Sequence, residues 1–536
     1  MHISLLLFVS FCLTSTSAGS SVSQDRPSAT IDSGVVVGTS TAIPPAPHKI
    51  DKFLGVPFAA PLQRFSPPQK ETPWQGIYDA STHKPACIQQ FDFPEEDRAR
   101  IIKWLNTPGP PAGESEDCLY LDIYAPPKGK EPKAVLFWIH GGVYLYGSGS
   151  LPLYDGSILA AIHDVVVVTT NYRLNVFGFP GSPEIPEGQR NLGLLDQRLA
   201  LDWVQRNIAA FGGDPEQVTI FGESAGASSV DALITSPPHP LPFRAAIMQS
   251  GHKTLHPESS DSEKSWKKLI ELAGCKESDA LQCVRKKSAL ELKGIVERAA
   301  LPFNPILDGV TVSKTPRRDR LSSINDTSAI ARVPVMMGTN ANEGSMYALP
   351  LARNTTEEFL HLVLSYLYPR GRPKGLLEAL LKAYPLGEAG VKTEVGRMDR
   401  ILTDVLSQCP IKFVADDSAL VEIPTWRYYF DAGFSNSALF YGSGAYHSAE
   451  IEMVFGTYNT TDAPAFQVEV SRAMQKAWTD FAKDPIRGPG WGKVPEIASF
   501  GDGFRPGSSV EGKAVLEVIA EDLDKRCALY KGFYTG

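Results

Sequence analysis

The chain has 536 residues, of which 43% are hydrophobic, and it carries a formal net charge of -8 with a pI of about 5.8. This length is ample for a large buried core and exceeds a simple small domain. The acidic balance argues against nucleic acid as a main partner, because it repels a phosphate backbone. Beyond the N-terminal region the sequence contains no apolar stretch of 18 or more residues, so it predicts no transmembrane helix.

The N-terminus is typical of a secretory signal peptide. Residues 3–13 form an apolar run, and the Thr-Ser-Ala of residues 16–18 offers small side chains at the cleavage position. The run is too short to span a bilayer, which needs about 20 residues. We therefore expect residues 1–18 to be removed, residues 19–536 to form one elaborated domain, and the mature protein to be secreted or held in the secretory lumen. A buried strand is the alternative interpretation of the apolar run.

Cysteines and sequons agree with that compartment. Cys12 lies in the expected signal segment, and the remaining cysteines are Cys87, Cys118, Cys275, Cys283, Cys409 and Cys527. An even number in a secreted chain predicts disulfides, although the residues alone leave the pairing open. Asn-x-Thr sequons predict glycosylation at Asn325, Asn354 and Asn459.

Turn-bounded apolar runs predict strands along the first third of the chain. Residues 34–38 and 53–58 are short strands of this kind, and residues 119–124 alternate in a pattern that predicts a half-exposed strand. Residues 134–139 and 165–170 are continuously apolar, which is typical of strands buried on both faces of a parallel sheet.

Helical and strand patterns alternate in the rest of the chain. Helices are predicted over residues 194–210 and 465–484, and strands over residues 218–221, 243–249, 333–337 and 426–430. This alternation predicts an α/β fold with a mostly parallel central sheet and helices on both faces. Residues 257–325 and 354–402, which are rich in charge and helix formers, are expected to be helical insertions over one end of the sheet.

Ser224 is a candidate nucleophile within Gly222-Glu-Ser-Ala-Gly226. In a Gly-x-Ser-x-Gly elbow the serine lies on a strained turn between a strand and a helix, and the flanking glycines avoid side-chain collisions. The strand pattern before this segment and the small-residue helix pattern after it supply that context. An ordinary strand-to-helix turn is the alternative.

Backbone N–H groups near this serine can stabilise an oxyanion. A helix N-terminus carries about half a positive charge, so the Ala225 N–H is expected to point at an attacked carbonyl. A second donor is expected from a loop after an earlier strand, and His140-Gly-Gly-Val-Tyr144 follows the buried strand at residues 134–139. A strand-end turn without function is the alternative for this loop.

A serine nucleophile needs a general base and an acid that orients the base. This fold places them in the chain order serine, acid, histidine. His447 lies late in the chain on a Gly-rich loop, and Glu343 follows the strand predicted at residues 333–337. They are the candidates for base and acid. A surface-loop histidine and a solvated glutamate are the alternatives.

Several motifs together resemble the type-B carboxylesterase and lipase family, which includes the cholinesterases. In chain order they are Phe-Leu-Gly-Val-Pro-Phe-Ala from Phe53, Ser-Glu-Asp-Cys-Leu-Tyr-Leu from Ser115, Phe-Gly-Glu-Ser-Ala-Gly-Ala from Phe221, Gln-Ser-Gly from Gln249, Gly-Thr-Asn-Ala-Asn-Glu-Gly-Ser from Gly338, and His447 followed by Glu-Ile-Glu-Met-Val-Phe-Gly from Glu450. The resemblance runs from about Gly34 to about Cys527. It implies an α/β-hydrolase fold with insertions at the active-site end, and hydrolysis of small-molecule carboxylic esters through an acyl-enzyme. Nothing in the sequence requires a metal or cofactor.

The resemblance also assigns residues, position by position. It implies the triad Ser224, Glu343 and His447, the oxyanion donors Gly142, Val143 and Ala225, and a buried polar shell behind the histidine that includes Ser250 and Asp404. It implies the disulfides Cys87–Cys118, Cys275–Cys283 and Cys409–Cys527. The presence of all triad residues favours an enzyme over the non-catalytic binding proteins of the family. An acyltransferase or lactone-processing enzyme acting on a specialised metabolite is the other alternative, since solvent access to the acyl-enzyme decides between water and alcohol.

Two departures from the family pattern concern specificity. Val143 replaces a glycine of the oxyanion loop, and its branched side chain predicts a narrowed pocket that prefers small or slender acyl groups. Trp104 lies in the Cys87–Cys118 loop, where cholinesterases carry a tryptophan that faces choline. Its spacing differs, however, and Met346-Tyr347 replaces an aromatic pair. These differences disfavour choline esters.

Overall fold

A computed structural model describes residues 26–61, 63–91, 94–254, 261–349, 356–367, 374–387, 391–508 and 512–535. The predicted signal segment and the sequon at Asn354 lie outside the described residues. Within those ranges, no helix is both long and apolar enough to cross a membrane.

A large, mostly parallel sheet forms the centre of the fold. The described strands, in chain order, are β1 (Ser28–Ile31), β2 (Gly34–Val37), β3 (Thr39–Ala42), β4 (Lys49–Pro57), β5 (Ile77–Asp79), β6 (Ala86–Cys87), β7 (Glu114–Ser115), β8 (Tyr120–Ala125), β9 (Lys133–Ile139), β10 (Val166–Thr170), β11 (Gly213–Glu223), β12 (Ala245–Gln249), β13 (Val335–Asn340), β14 (Thr425–Ala432), β15 (Glu496–Phe504) and β16 (Val515–Ile519). An 11-stranded sheet has the order β16-β15-β14-β13-β12-β11-β9-β10-β8-β4-β3. The strands from β15 to β10 in this order pair in parallel, and antiparallel strands lie at both edges.

Helices connect and cover these strands. They are α1 (Glu95–Leu105), α2 (Ser157–His163), α3 (Asn175–Gly178), α4 (Leu192–Asn207), α5 (Ala225–Thr235), α6 (Ser262–Leu272), α7 (Ala280–Lys286), α8 (Ala289–Arg298), α9 (Pro316–Ser322), α10 (Ser345–Ala348), α11 (Thr356–Leu367), α12 (Leu376–Ala383), α13 (Glu394–Thr403), α14 (Cys409–Leu420), α15 (Ile451–Phe455), α16 (Ala465–Lys483), α17 (Ala520–Asp524) and α18 (Lys531–Thr535). A π-helical segment, Asp404–Gln408, joins α13 to α14.

Apolar side chains bury both faces of the sheet. Along β9, Val135, Phe137 and Ile139 enter one core cluster, whereas Leu136 and Trp138 enter the other. Because alternate residues of a strand point to opposite faces, the continuous apolar run reflects burial on both sides. The prediction of a mostly parallel sheet covered by helices is confirmed.

The prediction of a half-exposed strand at residues 119–124 is wrong. In the sheet β8 lies between β10 and β4, and its residues 121–125 are buried. Asp122, a polar residue of the alternating pattern, accepts a hydrogen bond from Gly55 N–H (2.6 Å) and lies 2.8 Å from His83 Nδ1. A polar side chain can be buried when it has such partners, and these come from distant parts of the chain.

Three disulfides join Cys87 to Cys118, Cys275 to Cys283, and Cys409 to Cys527. These are the pairs that the family resemblance implies. The third closes a separation of 118 residues and ties the C-terminal segment to α14, which packs against β13 and β14. The end of the chain is therefore anchored to the strands that lead into the candidate acid and base loops.

The two predicted insertions contribute helices that contact different elements of the fold. In the first, Arg320 of α9 forms a fully buried ion pair (2.5 Å) with Asp231 of α5. In the second, Asp399 of α13 accepts a hydrogen bond at Oδ2 from Asn342 Nδ2, at 2.8 Å. The second insertion thus packs at the carboxyl end of β13.

Candidate active site

Ser224 lies at the turn between β11 and α5. Its φ of 54° and ψ of -119° form a backbone conformation that residues with side chains rarely adopt. Gly222 and Gly226 allow this turn, because a Cβ on either glycine would collide with the carbonyl oxygen of Ile139 in β9. The serine is therefore held at the carboxyl end of the central strands, where α/β folds place their sites.

The loop after β9 packs against this turn. A Cβ on Gly141 would lie only 3.1 Å from the Ser224 Cβ, so glycine permits the close approach. The next residues, Gly142 and Val143, have positive φ values of 100° and 49°. Within the described residues, the N–H groups of these two residues have no protein acceptor. Together with the Ala225 N–H at the start of α5, they are available to a substrate oxygen.

Glu343 and His447 form a hydrogen-bonded pair although they lie 104 residues apart in the chain. His447 Nδ1 lies 2.6 Å from Glu343 Oε2, and the carboxylate is 2% exposed. The Asn340 N–H donates to the other carboxylate oxygen, Oε1, at 2.8 Å. Both oxygens of the acid are thus fixed, one by the backbone and one by the imidazole.

A carboxylate that the sequence did not reveal as a site residue faces the other ring nitrogen of His447. His447 Nε2 lies 3.1 Å from Glu223 Oε1, and Ser448 Oγ donates to the same oxygen at 2.7 Å. Among the described residues, Glu223 rather than Ser224 is the polar partner of Nε2. Glu223 occupies the variable position before the serine of the elbow, so the motif gave no signal of its contact.

This contact couples the titration of the two side chains. Burial raises the pKa of Glu223; His447 opposes the rise and Glu450 adds to it. Burial alone would lower the pKa of His447, but Glu223, Tyr347 and Glu343 together raise it well above its ordinary value. The two side chains lie close enough for each to shift the pKa of the other, so the apparent ionisations at this position belong to the pair.

Glu450 is a second buried carboxylate that only the fold reveals as part of the site. It accepts hydrogen bonds from Gln249 Nε2 (3.0 Å) and Asn340 Nδ2 (2.5 Å). Burial and the nearby Glu343 raise the pKa of Glu450. Asn340 therefore contacts both Glu450 and Glu343 and links the two carboxylates.

Ser250 and Asp404, both expected behind the histidine, lie in different places. Ser250 is buried directly after Gln249, whose carbonyl oxygen accepts a hydrogen bond from the Ser224 N–H at 2.8 Å. Asp404 instead accepts a hydrogen bond from Tyr384 Oη at 2.8 Å and pairs with Arg400 at 2.9 Å. Because these partners belong to the second insertion, the contacts of Asp404 fix that insertion rather than the imidazole.

Ser224 and His447 line one cavity of about 430 Å³. Beyond the oxyanion loop and Glu223, its walls come from residues within 103–108, 151–154, 436–439, 446–448 and 451–457, and from Tyr146, Gly147 and Tyr347. Insertions at residues 257–325 and 354–402 were expected over this end of the sheet, but the described residues that line the cavity lie outside both ranges.

Two of the predicted glycosylation sites lie in the described residues. Asn325 and Asn459 are both exposed. Exposure is what attachment of a glycan to these side chains would require.

Several known proteins are similar in sequence to this chain over most of its length. The carboxylesterase family model matches residues 25–491. The chain is 35% identical to an acetylcholinesterase of Bungarus fasciatus, over 84% of this chain and 77% of that protein. It is 33% identical to a cholinesterase of Mus musculus, over 81% and 75% of the respective chains, and 33% identical to a para-nitrobenzyl esterase of Bacillus subtilis, over 81% and 86%. The chain therefore belongs to the carboxylesterase family and is a serine carboxylic ester hydrolase.

Proposed function

We propose that this enzyme hydrolyses esters through the triad Ser224, His447 and Glu343 and a covalent acyl-enzyme. The observation that carries the proposal is the 2.6 Å contact between His447 Nδ1 and Glu343 Oε2, beside a serine on a nucleophile elbow. The carboxylate holds a proton on Nδ1 and so leaves Nε2 to act as the base.

In the first half-reaction, Ser224 Oγ attacks the ester carbonyl carbon while His447 Nε2 takes the hydroxyl proton. Nε2 must exchange Glu223 for the adjacent Ser224, in line with the general observation that catalytic hydrogen bonds often tighten only when substrate binds. The proton then passes to the oxygen of the leaving alcohol as the carbon–oxygen bond breaks. The acyl group remains on Ser224.

The negative charge on the carbonyl oxygen is stabilised by the N–H groups of Gly142, Val143 and Ala225. Donors fixed in advance need no reorganisation as the charge develops. In the second half-reaction, water gives a proton to His447 and attacks the acyl-enzyme, which releases the carboxylic acid and restores the Ser224 hydroxyl.

Covalent labelling tests this proposal directly. A fluorophosphonate probe reacts with an activated serine, so we expect one adduct per chain, located on Ser224 by peptide mass spectrometry. Labelling should follow the ionisation of the His447–Glu223 pair and be slow when the ring is doubly protonated. An adduct on another residue, or none on the folded protein, would overturn the mechanism.

We also propose that the protein acts outside the cytosol. Three disulfides form and persist in oxidising compartments, and the exposed sequons at Asn325 and Asn459 suit a secreted protein. Expression in a eukaryotic secretory host should place the enzyme in the medium with a mass that falls on treatment with an N-glycosidase. Retention of all the protein inside the cells would contradict this.

Val143→Gly is expected to widen the acyl pocket. The Val143 side chain is 43% exposed and lines the cavity that contains Ser224. Its removal should raise kcat/KM for p-nitrophenyl trimethylacetate, relative to p-nitrophenyl acetate, by at least about tenfold, since small steric differences in a pocket are worth about 1–3 kcal/mol. Val310→Gly, on an exposed loop, is the control and should leave the ratio unchanged. An unchanged ratio in Val143→Gly would show that the side chain does not limit acyl size.

The surroundings of Trp104 favour a neutral rather than a cationic alcohol. Its ring lies 5.2 Å from that of Phe440, and the Arg100 guanidinium lies 5.7 Å from the Trp104 ring. Arg100, which is paired with Asp97, already occupies this aromatic face, so the face is not open to a cationic alcohol. We therefore propose uncharged esters as substrates, tested by comparing phenyl acetate with a choline ester.

A further inference from the structure

The loops that carry the candidate acid and base are joined to one another by hydrogen bonds. Ser345 Oγ donates to the carbonyl oxygen of Ser443 at 3.0 Å, and Asn340 Nδ2 donates to that of Tyr446 at 2.8 Å. Glu343 lies between Asn340 and Ser345, and His447 directly follows Tyr446. The geometry of the Glu343–His447 pair therefore depends on how these two loops are held together.

Asn342 makes the most extensive of these connections. Its N–H donates to the carbonyl oxygen of Ala445 at 2.9 Å, and its Oδ1 accepts from the Ala445 N–H at 3.1 Å. The backbone and side chain of Asn342 thus bond to Ala445 in the way that a neighbouring strand would, and they hold the loop that carries His447. Gly444 has a φ of 61°, and a Cβ there would collide with Asn342 Oδ1, so the loop approaches as closely as glycine allows.

Two further groups fix the orientation of the Asn342 amide. Arg505 Nη2 donates to Oδ1 at 3.0 Å, and Asn342 Nδ2 donates to Asp399 Oδ2 at 2.8 Å. Asp399 lies on α13 in the second insertion, where Thr403 Oγ1 donates to its other oxygen at 3.2 Å. The amide oxygen therefore accepts and the amide nitrogen donates. A rotation that exchanged the two atoms would lose these contacts.

Charged groups surround Asp399 from two elements. Arg400 lies on its own helix, and Arg505 approaches from the end of β15 while pairing with Asp431 at 2.6 Å. Burial raises the pKa of Asp399 to about 6, although Asn342, Thr403 and both arginines oppose the rise. At neutral pH the carboxylate is therefore mainly ionised and accepts the Asn342 hydrogen bond.

We propose that Asn342 is a positioning residue that locks the Glu343 loop to the His447 loop, and that Asp399 sets the orientation of its amide. This inference rests on the proposed function of the triad, because it concerns how Glu343 and His447 are held within hydrogen-bonding distance of each other. Asn342 neither faces the reacting atoms nor takes part in proton transfer. Its effect on turnover passes through the position of the imidazole, and a displacement of about 1 Å can cost about a hundredfold in rate.

A swap of the two polar side chains tests the proposal. Asn342→Asp keeps the Oδ1 acceptor but places a carboxylate oxygen against Asp399, so the two must share a proton. We expect kcat to fall by about tenfold to a hundredfold at pH 8, with KM unchanged, and to recover towards pH 5.5, relative to wild type, as the shared proton is taken up. Asp399→Asn alone should remain active, since the amide oxygen that it introduces at position 399 can accept from Asn342.

The double variant Asn342→Asp/Asp399→Asn is the decisive measurement. There the amide of residue 399 donates to the carboxylate of residue 342, so kcat at pH 8 should return to within a few-fold of wild type. A double variant no better than Asn342→Asp would overturn the proposal, as would an Asn342→Asp enzyme with wild-type kcat at pH 8.

Asn191 offers a matched control. Its amide also bridges two loops, donating to the carbonyl oxygen of Ile306 and accepting from the Ile306 N–H, each at 2.8 Å, but it lies away from the triad. Asn191→Ala should lower the melting temperature without changing kcat per labelled serine. Rates are therefore expressed per Ser224 titrated with fluorophosphonate. If wild-type Ser224 takes no label, the proposed function fails; if it labels and the double variant does not recover, only the role of Asn342 fails.

Discussion

Ser224→Ala should lower kcat for p-nitrophenyl acetate by about a millionfold, the scale of loss when a serine nucleophile is removed from a triad. Without Oγ no acyl-enzyme can form, and only the oxyanion donors and substrate binding remain to assist attack by water. The measurement is a stopped-time assay at high enzyme concentration. Circular dichroism should show an unchanged fold, because the substitution removes one oxygen from a turn that glycines on both sides still permit.

Ser228→Ala provides the matched control on the same helix. Ser228 Oγ donates to the carbonyl oxygen of His252 at 2.9 Å and takes no part in the proposed chemistry. This variant should keep its activity with only a small loss of stability. Hydrolysis by Ser224→Ala at a rate near that of wild type would show that another residue carries the reaction.

Glu343→Gln should lower kcat by about a thousandfold to ten-thousandfold, comparable to the loss when the acid of a triad becomes an amide. The structure supplies the reason. The Asn340 N–H donates to Glu343 Oε1, so the carbonyl oxygen of a glutamine must occupy that side. Its NH₂ then points at His447 Nδ1, which forces the ring proton onto Nε2 and removes the base.

The effect of this variant should fall on kcat and on the rate of fluorophosphonate labelling, with KM little changed. Glu297→Gln is the control, since Glu297 is also buried and accepts a hydrogen bond from a backbone N–H, that of Phe91, at 3.0 Å. It should alter stability alone. An active Glu343→Gln enzyme would mean that the imidazole keeps its tautomer without this carboxylate.

The sequence revealed those features that are encoded locally. The Gly-x-Ser-x-Gly turn is dictated by collisions with one neighbouring strand, and the apolar run of β9 directly reports burial on both faces. Chain order and the position after a strand sufficed to identify Glu343 and His447 as candidates. The structure brings these two side chains to 2.6 Å.

What the sequence did not reveal depends on partners far along the chain. Asp122 looked like the exposed face of a strand because its partners, Gly55 and His83, cannot be foreseen from spacing. The contact between Glu223 and the imidazole joins residues far apart in the chain, and the elbow motif carries no signal for it. Asp404 has contacts with Tyr384 and Arg400, since its helix turns it towards the second insertion.

Val143 has a consequence at the level of the gene. Its branched side chain lies in the cavity with a φ of 49°, a conformation that glycine adopts without strain. Every valine codon becomes a glycine codon by one base change. The wider acyl pocket proposed for Val143→Gly would therefore need one mutational step, and relief of backbone strain would offset the flexibility that glycine adds to the unfolded chain.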